Sequence, residues 1–488
     1  MPTEQITRTL NVLLNVEPHF APKAKWVLQT FCAQIGCRAR FHERYASDRV
    51  QIYYGPRTET PYPVKIRHNP EAAAFFKGNE DYPANRLRFF RCGADLLPFL
   101  FSPPGDVFHL HGKQILVHKD IVSSAFYFLS CWQEHTGKPD KDGRQAYAHS
   151  LQARWDIAHV PVVDRYASLL RQAIAIALPQ VMLDTRWPNG ASMAVSLSHD
   201  LDYWNYWTSA ELASVNRYNL RRLFRSPLHA LYKLLGHQLD KRLFYHPARR
   251  NSAVIQHEQH MGLHSTTFVL SNPELEDRRQ VYLVDQGTEL KDFLTIINDR
   301  MVQLHGSGEA SGKMEALREQ MMNLLQAGYQ CQGYRAHQLQ FSYDETLPLL
   351  EEAHLDYDAS LGWWEHTGFR AGTSMPFYPF WHKENRPLTV LEIPLSVMDV
   401  TLFSPRAMKL SADSAQSMLR RLMNNAATNG GHLSLLWHYR TFDPIDFPRW
   451  RSMYWKLLRQ AQQRQAWVCS LDELYTHWKK KYSIKEPT

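Results

Sequence analysis

Ser192-Met-Ala-Val-Ser-Leu-Ser-His-Asp-Leu-Asp202 sets a strand-prone run, Ser192 to Ser198, directly against two carboxylates spaced two residues apart. Side chains two apart on an extended segment point to one side, so Asp200 and Asp202 would enter the same pocket. Two like charges held that close need a cation between them, or one carboxyl keeps its proton. The competing reading is an Asx turn or helix cap ahead of Tyr203.

Working outward, the same arrangement recurs. Met301 to Leu304 leads into His305-Gly-Ser-Gly308, Gln332 to Ala336 carries Arg335 and precedes His337, and Leu433 to Trp437 ends at His438. Further strands are expected at Ser265 to Leu270, Leu355 to Ala359, Thr389 to Val397 and Trp467 to Cys469. Helices fall between them. Lys313 to Leu325 stops at Gly328, Asp413 to Ala427 stops at Gly430, and Ser470 with Glu473 forms a capping box. Strand and helix alternation from Ala191 onward predicts an α/β fold, a distorted (β/α) barrel whose C-terminal mouth receives these polar residues.

The preceding residues read as a smaller α/β unit, so the expected domains are 1–185 and 186–488. Leu10 to Val16 is strand-like, and Pro22 opens a helix that Gly36 stops. Phe108 to Leu110 and Gln114 to Val117 form a hairpin, after which Asp120 caps a helix.

Composition narrows the function classes. At 488 residues, 44% of them hydrophobic, the chain has ample material for globular cores. Met1 to Leu10 has no basic region followed by an apolar segment, and no apolar run approaches the ~18 residues of a membrane span. The expectation is a cytoplasmic protein. Six cysteines include no Cys-x-x-Cys pair, which fits reduced thiols and leaves any metal to His and carboxylate ligands. The net charge of +8 comes without a Cys/His finger, an RNP-type motif or a long basic arm, so nucleic acid is not an expected partner. The densest basic stretch, residues 216–250, reads as a solvated helical insertion or as a contact for a membrane or anionic-lipid face.

Other polar clusters have more ordinary readings. His257-Glu-Gln-His260 with His264 is not H-E-x-x-H and is expected to be a polar helix face. Glu392, Asp399 and Arg370 are expected in buried ion pairs, although an Arg at a barrel mouth could orient a carboxylate or a sugar hydroxyl. Trp363, Trp364, Phe377 and Tyr378 could stack on a sugar ring or pack in the core.

The order of these motifs across residues 190–475 resembles the NodB-type polysaccharide deacetylases, the family 4 carbohydrate esterases. Ser198-His-Asp-Leu-Asp202 is similar to the family's first motif, which implies that Asp200 is the catalytic base and Asp202 a metal ligand. His305 matches the second motif's metal-binding histidine, Arg335 the arginine that contacts the base, and Leu433 to His438 the strand ending in a catalytic histidine. Gly333-Tyr-Arg-Ala-His337, Gly368-Phe-Arg-Ala-Gly372 and Leu391 to Asp399 resemble a bacterial subgroup in which another α/β domain precedes the barrel.

Two positions depart from the pattern. Where the family places a second histidine, four residues after the first, this chain has Glu309. His337 is then the expected third ligand, being the better partner for zinc, with Glu309 as the alternative. Leu201 separates the two aspartates, which leaves open an exchange of their roles.

The resemblance implies a divalent metal, zinc by ligand type, and removal of N-acetyl groups from an amino-sugar glycan or glycan precursor in surface polysaccharide synthesis. Asp200, His438 and Arg335 would act on the reaction, Asp202, His305 and His337 on the metal, and Arg370 and Trp363 on the sugar. The alternatives are a non-catalytic glycan-binding or assembly protein on this scaffold, and hydrolysis of another C–N bond.

Overall fold

The structure is a computed structural model that describes residues 9–42, 50–57, 59–92, 95–137, 139–140, 144–202, 247–271, 288–297, 299–443, 447 and 449–482. Of the basic stretch at 216–250, residues 216–246 lie outside the described residues. Arg250 pairs with Asp443 at 2.7 Å.

The first sheet is built from β1 (Thr9–Leu14), β2 (Arg38–His42), β3 (Ile52–Gly55) and β4 (Val64–Arg67). β5 (Arg88–Cys92) and β6 (Asp95–Phe99) form a separate antiparallel hairpin, and β7 (Phe108–His111) with β8 (Gln114–Val117) completes the order β2-β1-β3-β4-β8-β7. All its pairs are parallel except the β7–β8 hairpin. Helix Ala21–Ile35 has Pro22 in its first turn and ends at Gly36, whose φ of 86° is the left-handed turn that glycine takes without strain. Asp120 caps helix Ile121–Leu129 by accepting from the Ser123 N–H at 2.9 Å.

The second sheet comprises β9 (Ala194–Leu201), β10 (Thr266–Leu270), β11 (Val302–Gly306), β12 (Gly333–Ala336) and β13 (Tyr357–Asp358). After a small hairpin, β14 (Phe380–Trp381) with β15 (Arg386–Pro387), come β16 (Leu391–Glu392), β17 (Val397–Met398), β18 (His432–Leu436) and β19 (Trp467–Ser470). The order is β16-β13-β12-β11-β10-β9-β18-β17, and every pairing is parallel. β9 is long enough to serve two neighbours on one edge, β19 along Ala194 to Leu197 and β10 along Ser198 to Leu201. All eight of its residues are buried, as a parallel strand covered on both faces requires.

One segment bends this sheet into a barrel. Leu391 and Glu392 pair with β13, whereas Val397 and Met398, a few residues on, pair with β18 at the opposite edge. The sequence reading has a single strand from Thr389 to Val397. It is divided because Pro394 has no N–H to give, while Ile393 and Leu395 donate to Asp358 and to the loop carbonyl of Leu361. The remaining strand expectations hold to within a few residues, and Ser470 and Glu473 form the reciprocal capping box at 3.1 and 2.8 Å.

The apolar cluster runs unbroken from the first sheet into the barrel. Polar ties cross the same boundary: Trp26 Nε1 donates to the Tyr378 carbonyl at 2.7 Å, and Gln34 Nε2 to Thr373 Oγ1 at 3.0 Å. Among the described residues no helix is long and apolar enough to cross a membrane.

Candidate metal and catalytic site

The strand ends deliver the expected side chains to one cavity of about 910 Å³. Asp200 is the penultimate residue of β9, and Asp202 follows its end. His305 lies on β11 in register with Arg335 on β12, so the two are neighbours across the ladder. His337 follows β12, and Asp399 and His438 follow the paired strands β17 and β18.

Arg335 spans the floor. It is fully buried, with Nη2 donating to Ser198 Oγ at 3.0 Å, Nη1 3.6 Å from Asp200 Oδ1, and the guanidinium 4.6 Å from the Phe268 ring centre. Its backbone carbonyl accepts from His305 Nδ1 at 2.9 Å. That bond fixes the imidazole with Nε2 toward the carboxylates, 3.1 Å from Asp202 Oδ1 and 3.6 Å from Asp200 Oδ2.

His337 is held by strained backbone. The two residues after it, Gln338 and Leu339, have φ of 56° and 53°, left-handed values that side chains other than glycine adopt at a cost. The His305 and His337 rings meet edge to face at 5.1 Å. Burial holds His337 down at about 4, so its ring is neutral and has a lone pair to offer.

His438 faces the aspartates from across the cavity. Its Nδ1 donates to Asp399 Oδ1 at 2.7 Å and its backbone N–H to Asp399 Oδ2 at 2.9 Å, leaving Nε2 3.5 Å from Asp202 Oδ2. Burial opposes a charge there. Asp399, with Asp202 and Asp200 behind it, outweighs that and raises His438 to about 10. Burial likewise opposes a charge on His305 but is outweighed by Asp200 and Asp202, which raise its pKa. Burial would raise Asp202, but the surrounding His305, His438 and His337 hold it well below the usual carboxylate range.

The donor set fits a divalent ion. Ligand atoms of Asp202, His305 and His337 lie within 4.8 Å of one another, as do those of Asp200, Asp202 and His438. The first set brings two imidazoles to the ion, whereas in the second the single imidazole, His438, is already tied to Asp399 through Nδ1. Among the described residues, Asp200 Oδ1 is buried with no hydrogen-bond partner, and Asp202 Oδ1 has the His305 Nε2 at 3.1 Å. An anionic oxygen without a hydrogen bond at that depth is costly unless a cation meets it. Glu309 is turned away, mostly exposed and paired with Lys313 at 3.3 Å.

Two sequence expectations need correction. Arg370 does not line the cavity; it is buried where the first unit meets the barrel, donating to both Glu134 oxygens at 2.8 and 2.7 Å and to the Gly362 carbonyl at 2.8 Å. Trp363 is 3% exposed and packs edge-on against Tyr147, so no sugar can reach it. Its neighbour Trp364 lines the cavity instead, with the Arg144 guanidinium 4.7 Å from its ring centre.

Asp399 was expected in a buried ion pair. It is in one, with His438, and so belongs to this site. Glu392, by contrast, does not make the ion pair expected of it: it sits beside another acid, Asp358, and burial together with that neighbour raises its pKa far above the usual value. Glu258 of the His257-to-His260 stretch is buried and accepts from Ser265 Oγ, while His257 rests on Trp455.

A family of unknown function, DUF7033, matches residues 13–179. Among solved structures, the chain is similar to a Mycobacterium smegmatis protein provisionally described as a polysaccharide deacetylase, at 17% identity and a TM-score of 0.41 over 62% of this chain and 96% of that one. It is also similar to the Puue allantoinase at 13% identity and a TM-score of 0.42, over 62% and 94% of the two chains. No curated protein matches. The fold stands on the strand pairings themselves.

Proposed function

We propose that this chain is a metal-dependent hydrolase that cleaves an amide C–N bond, removing the N-acetyl group of an amino-sugar glycan or glycan precursor. The observation that carries the reading is the convergence of Asp202, His305 and His337 beside a second carboxylate, Asp200, with the Asp399-held His438 opposite. Asp202, His305 and His337 would hold the ion, zinc by ligand type, which when bound acidifies water and polarises a carbonyl.

The remaining roles fall to side chains of known position. Asp200 takes the proton of the attacking water, and the fixed charge of Arg335 balances the carboxylate within the buried floor. As the C–N bond breaks, His438 gives its proton to the leaving amine, and Asp399 holds the imidazole for that transfer. The products are acetate and the free amino sugar. Trp364 offers an apolar face to a sugar ring, and Arg406, Arg440 and Arg144, the last paired with Asp140 at 3.3 Å, line the same cavity and suit a substrate with an anionic portion.

The test is a substrate panel on zinc-loaded protein: N-acetylated amino-sugar oligomers and nucleotide-linked N-acetylated sugars, beside cyclic amides and ureides. Acetate release from the sugars, abolished by chelation and restored by zinc, is the expected result. Turnover confined to the cyclic amides would replace the substrate class. Turnover that survives chelation, or in Asp202→Ala, would overturn the reading.

A further inference from the structure

A second group of metal-ligating side chains lies away from the barrel mouth. His135 stands on the short helix Trp132–Thr136 of the first unit, Asp344 lies on the loop between β12 and helix Thr346–Glu352, and His382 directly follows β14. Three segments distant in sequence thus meet at one point on the seam between the first sheet's helices and the barrel. One ligand atom from each lies within 4.8 Å of the other two.

The contacts are those of a ligand set as well as of an ion pair. His135 Nδ1 is 2.6 Å from Asp344 Oδ2, and the two imidazoles stack with centroids 4.5 Å apart at 25°. His382 Nε2 donates to the Ser130 carbonyl at 2.8 Å, so Nδ1 is the ring's lone-pair atom. This is how metal-binding histidines are commonly oriented, one nitrogen tied to a carbonyl and the other left for the ion.

An ion pair alone leaves two atoms unexplained. Among the described residues, His382 Nδ1 and Asp344 Oδ1 are buried without a hydrogen-bond partner. A neutral imidazole nitrogen and a carboxylate oxygen are both acceptors, and neither has a proton for the other. A cation satisfies both at once.

We propose that His135, Asp344 and His382 form a second divalent metal site, of zinc type, that fastens the first unit to the barrel. Two imidazoles and one carboxylate are a borderline-soft set suited to Zn²⁺, and the exposed side of His135 leaves a path for the ion and room for water as a further ligand. Trp132 lies against both rings, at 5.3 and 5.2 Å, closing the apolar side. Glu134, the residue before His135, makes the buried bond to Arg370, so the ion would add a second clasp to the same helix. The site is structural, and it does not depend on the reading of the barrel mouth.

Chelator-stripped full-length protein titrated calorimetrically with Zn²⁺ tests this, alongside Asp202→Ala, His382→Gln and Asp344→Asn. His382→Gln keeps a donor for the Ser130 carbonyl but loses the imidazole Nδ1, and Asp344→Asn keeps the shape and removes the charge. Each is expected to lose one bound equivalent relative to the unmutated chain. Combining either with Asp202→Ala is expected to abolish binding, and Zn²⁺ should raise the melting temperature of Asp202→Ala but not that of Asp202→Ala/His382→Gln. Unchanged stoichiometry in both His382→Gln and Asp344→Asn would overturn the proposal. If one variant does not fold by circular dichroism, the other decides. Asp202→Ala that still binds the full complement would count against the mouth site and leave this one standing.

Discussion

The two ends of the barrel bury carboxylates at similar depth and treat them in opposite ways. At the foot, where β10, β11 and β13 begin, Asp472 accepts from Thr266 Oγ1 at 2.5 Å, Gln303 Nε2 at 2.7 Å and Tyr357 Oη at 2.9 Å. At the mouth, Asp200 Oδ1 has no such partner among the described residues, and Asp202 faces the imidazoles of His305 at 3.1 Å and His438 at 3.5 Å. A buried acid with both oxygens bonded belongs to the frame. One with an unmet oxygen suits the proposed ion, since an unmet buried acceptor costs ~1–3 kcal/mol and a charged one more.

The largest effect that would break this contrast is on turnover. Asp200→Asn is expected to lower the rate by ~10²–10⁴-fold, the usual worth of a positioned general base, while the melting temperature changes little, because relief of the Asp200–Asp202 repulsion offsets the lost pairing with Arg335. Rate and melting curve on one preparation separate the two. A fall in stability with turnover intact would make Asp200 a frame residue like Asp472.

A smaller loss sharpens the division of labour within the mouth. His438→Gln should slow amide cleavage by ~10²-fold, and much less for an aryl acetate ester, whose phenolate leaving group does not need a proton to depart. Asp399→Asn should follow the same pattern more weakly, because it disturbs the orientation of His438 while leaving its ring in place. Equal losses on amide and ester would take the proton-donor role from His438.

At the foot the expected effect is on stability. Asp472→Ala strands three donors, at ~1 kcal/mol each, and should cost about 3 kcal/mol by urea denaturation with turnover per folded molecule unchanged. Loss of activity without loss of stability would show that the foot is tied to the chemistry.

The same contrast shows what the sequence could and could not reveal. Strands buried on both faces read as apolar runs, and residues two apart share a side, so β9 with Asp200 and Asp202 was legible, as were His305, Arg335 and His438. Asp399 was visible as a buried pairing residue but its partner was not, because His438 reaches it only once Leu391 to Met398 bridges both edges of the sheet. Arg335 and Arg370 occupy nearly matching pentapeptides, Gly333 to His337 and Gly368 to Gly372, yet only the first is a strand. Gly368 has φ of 140°, and a Cβ there would come within 2.4 Å of the Ala158 carbonyl, so the second is a loop pressed onto the first unit. That contact is between residues far apart in sequence, and local pattern carries no record of it.

The smallest prediction uses pH to read the foot alone. Burial, against its hydrogen bonds, raises Asp472 to about 6 from the usual 3.8, so the folded protein favours the protonated acid. A folded pKa above the unfolded one means that this group's contribution is fully present below the unfolded value and is lost as pH rises through the folded one. Between about pH 5 and 7 the unmutated chain should therefore lose roughly 1 kcal/mol relative to Asp472→Asn, which cannot titrate there. The comparison is made as a difference between the two proteins at each pH, which cancels the histidines that titrate in the same window. A gap that widens in favour of the unmutated chain as pH rises would mean that the three hydrogen bonds outweigh burial, and the foot would then hold a carboxylate stabilised in its charged form.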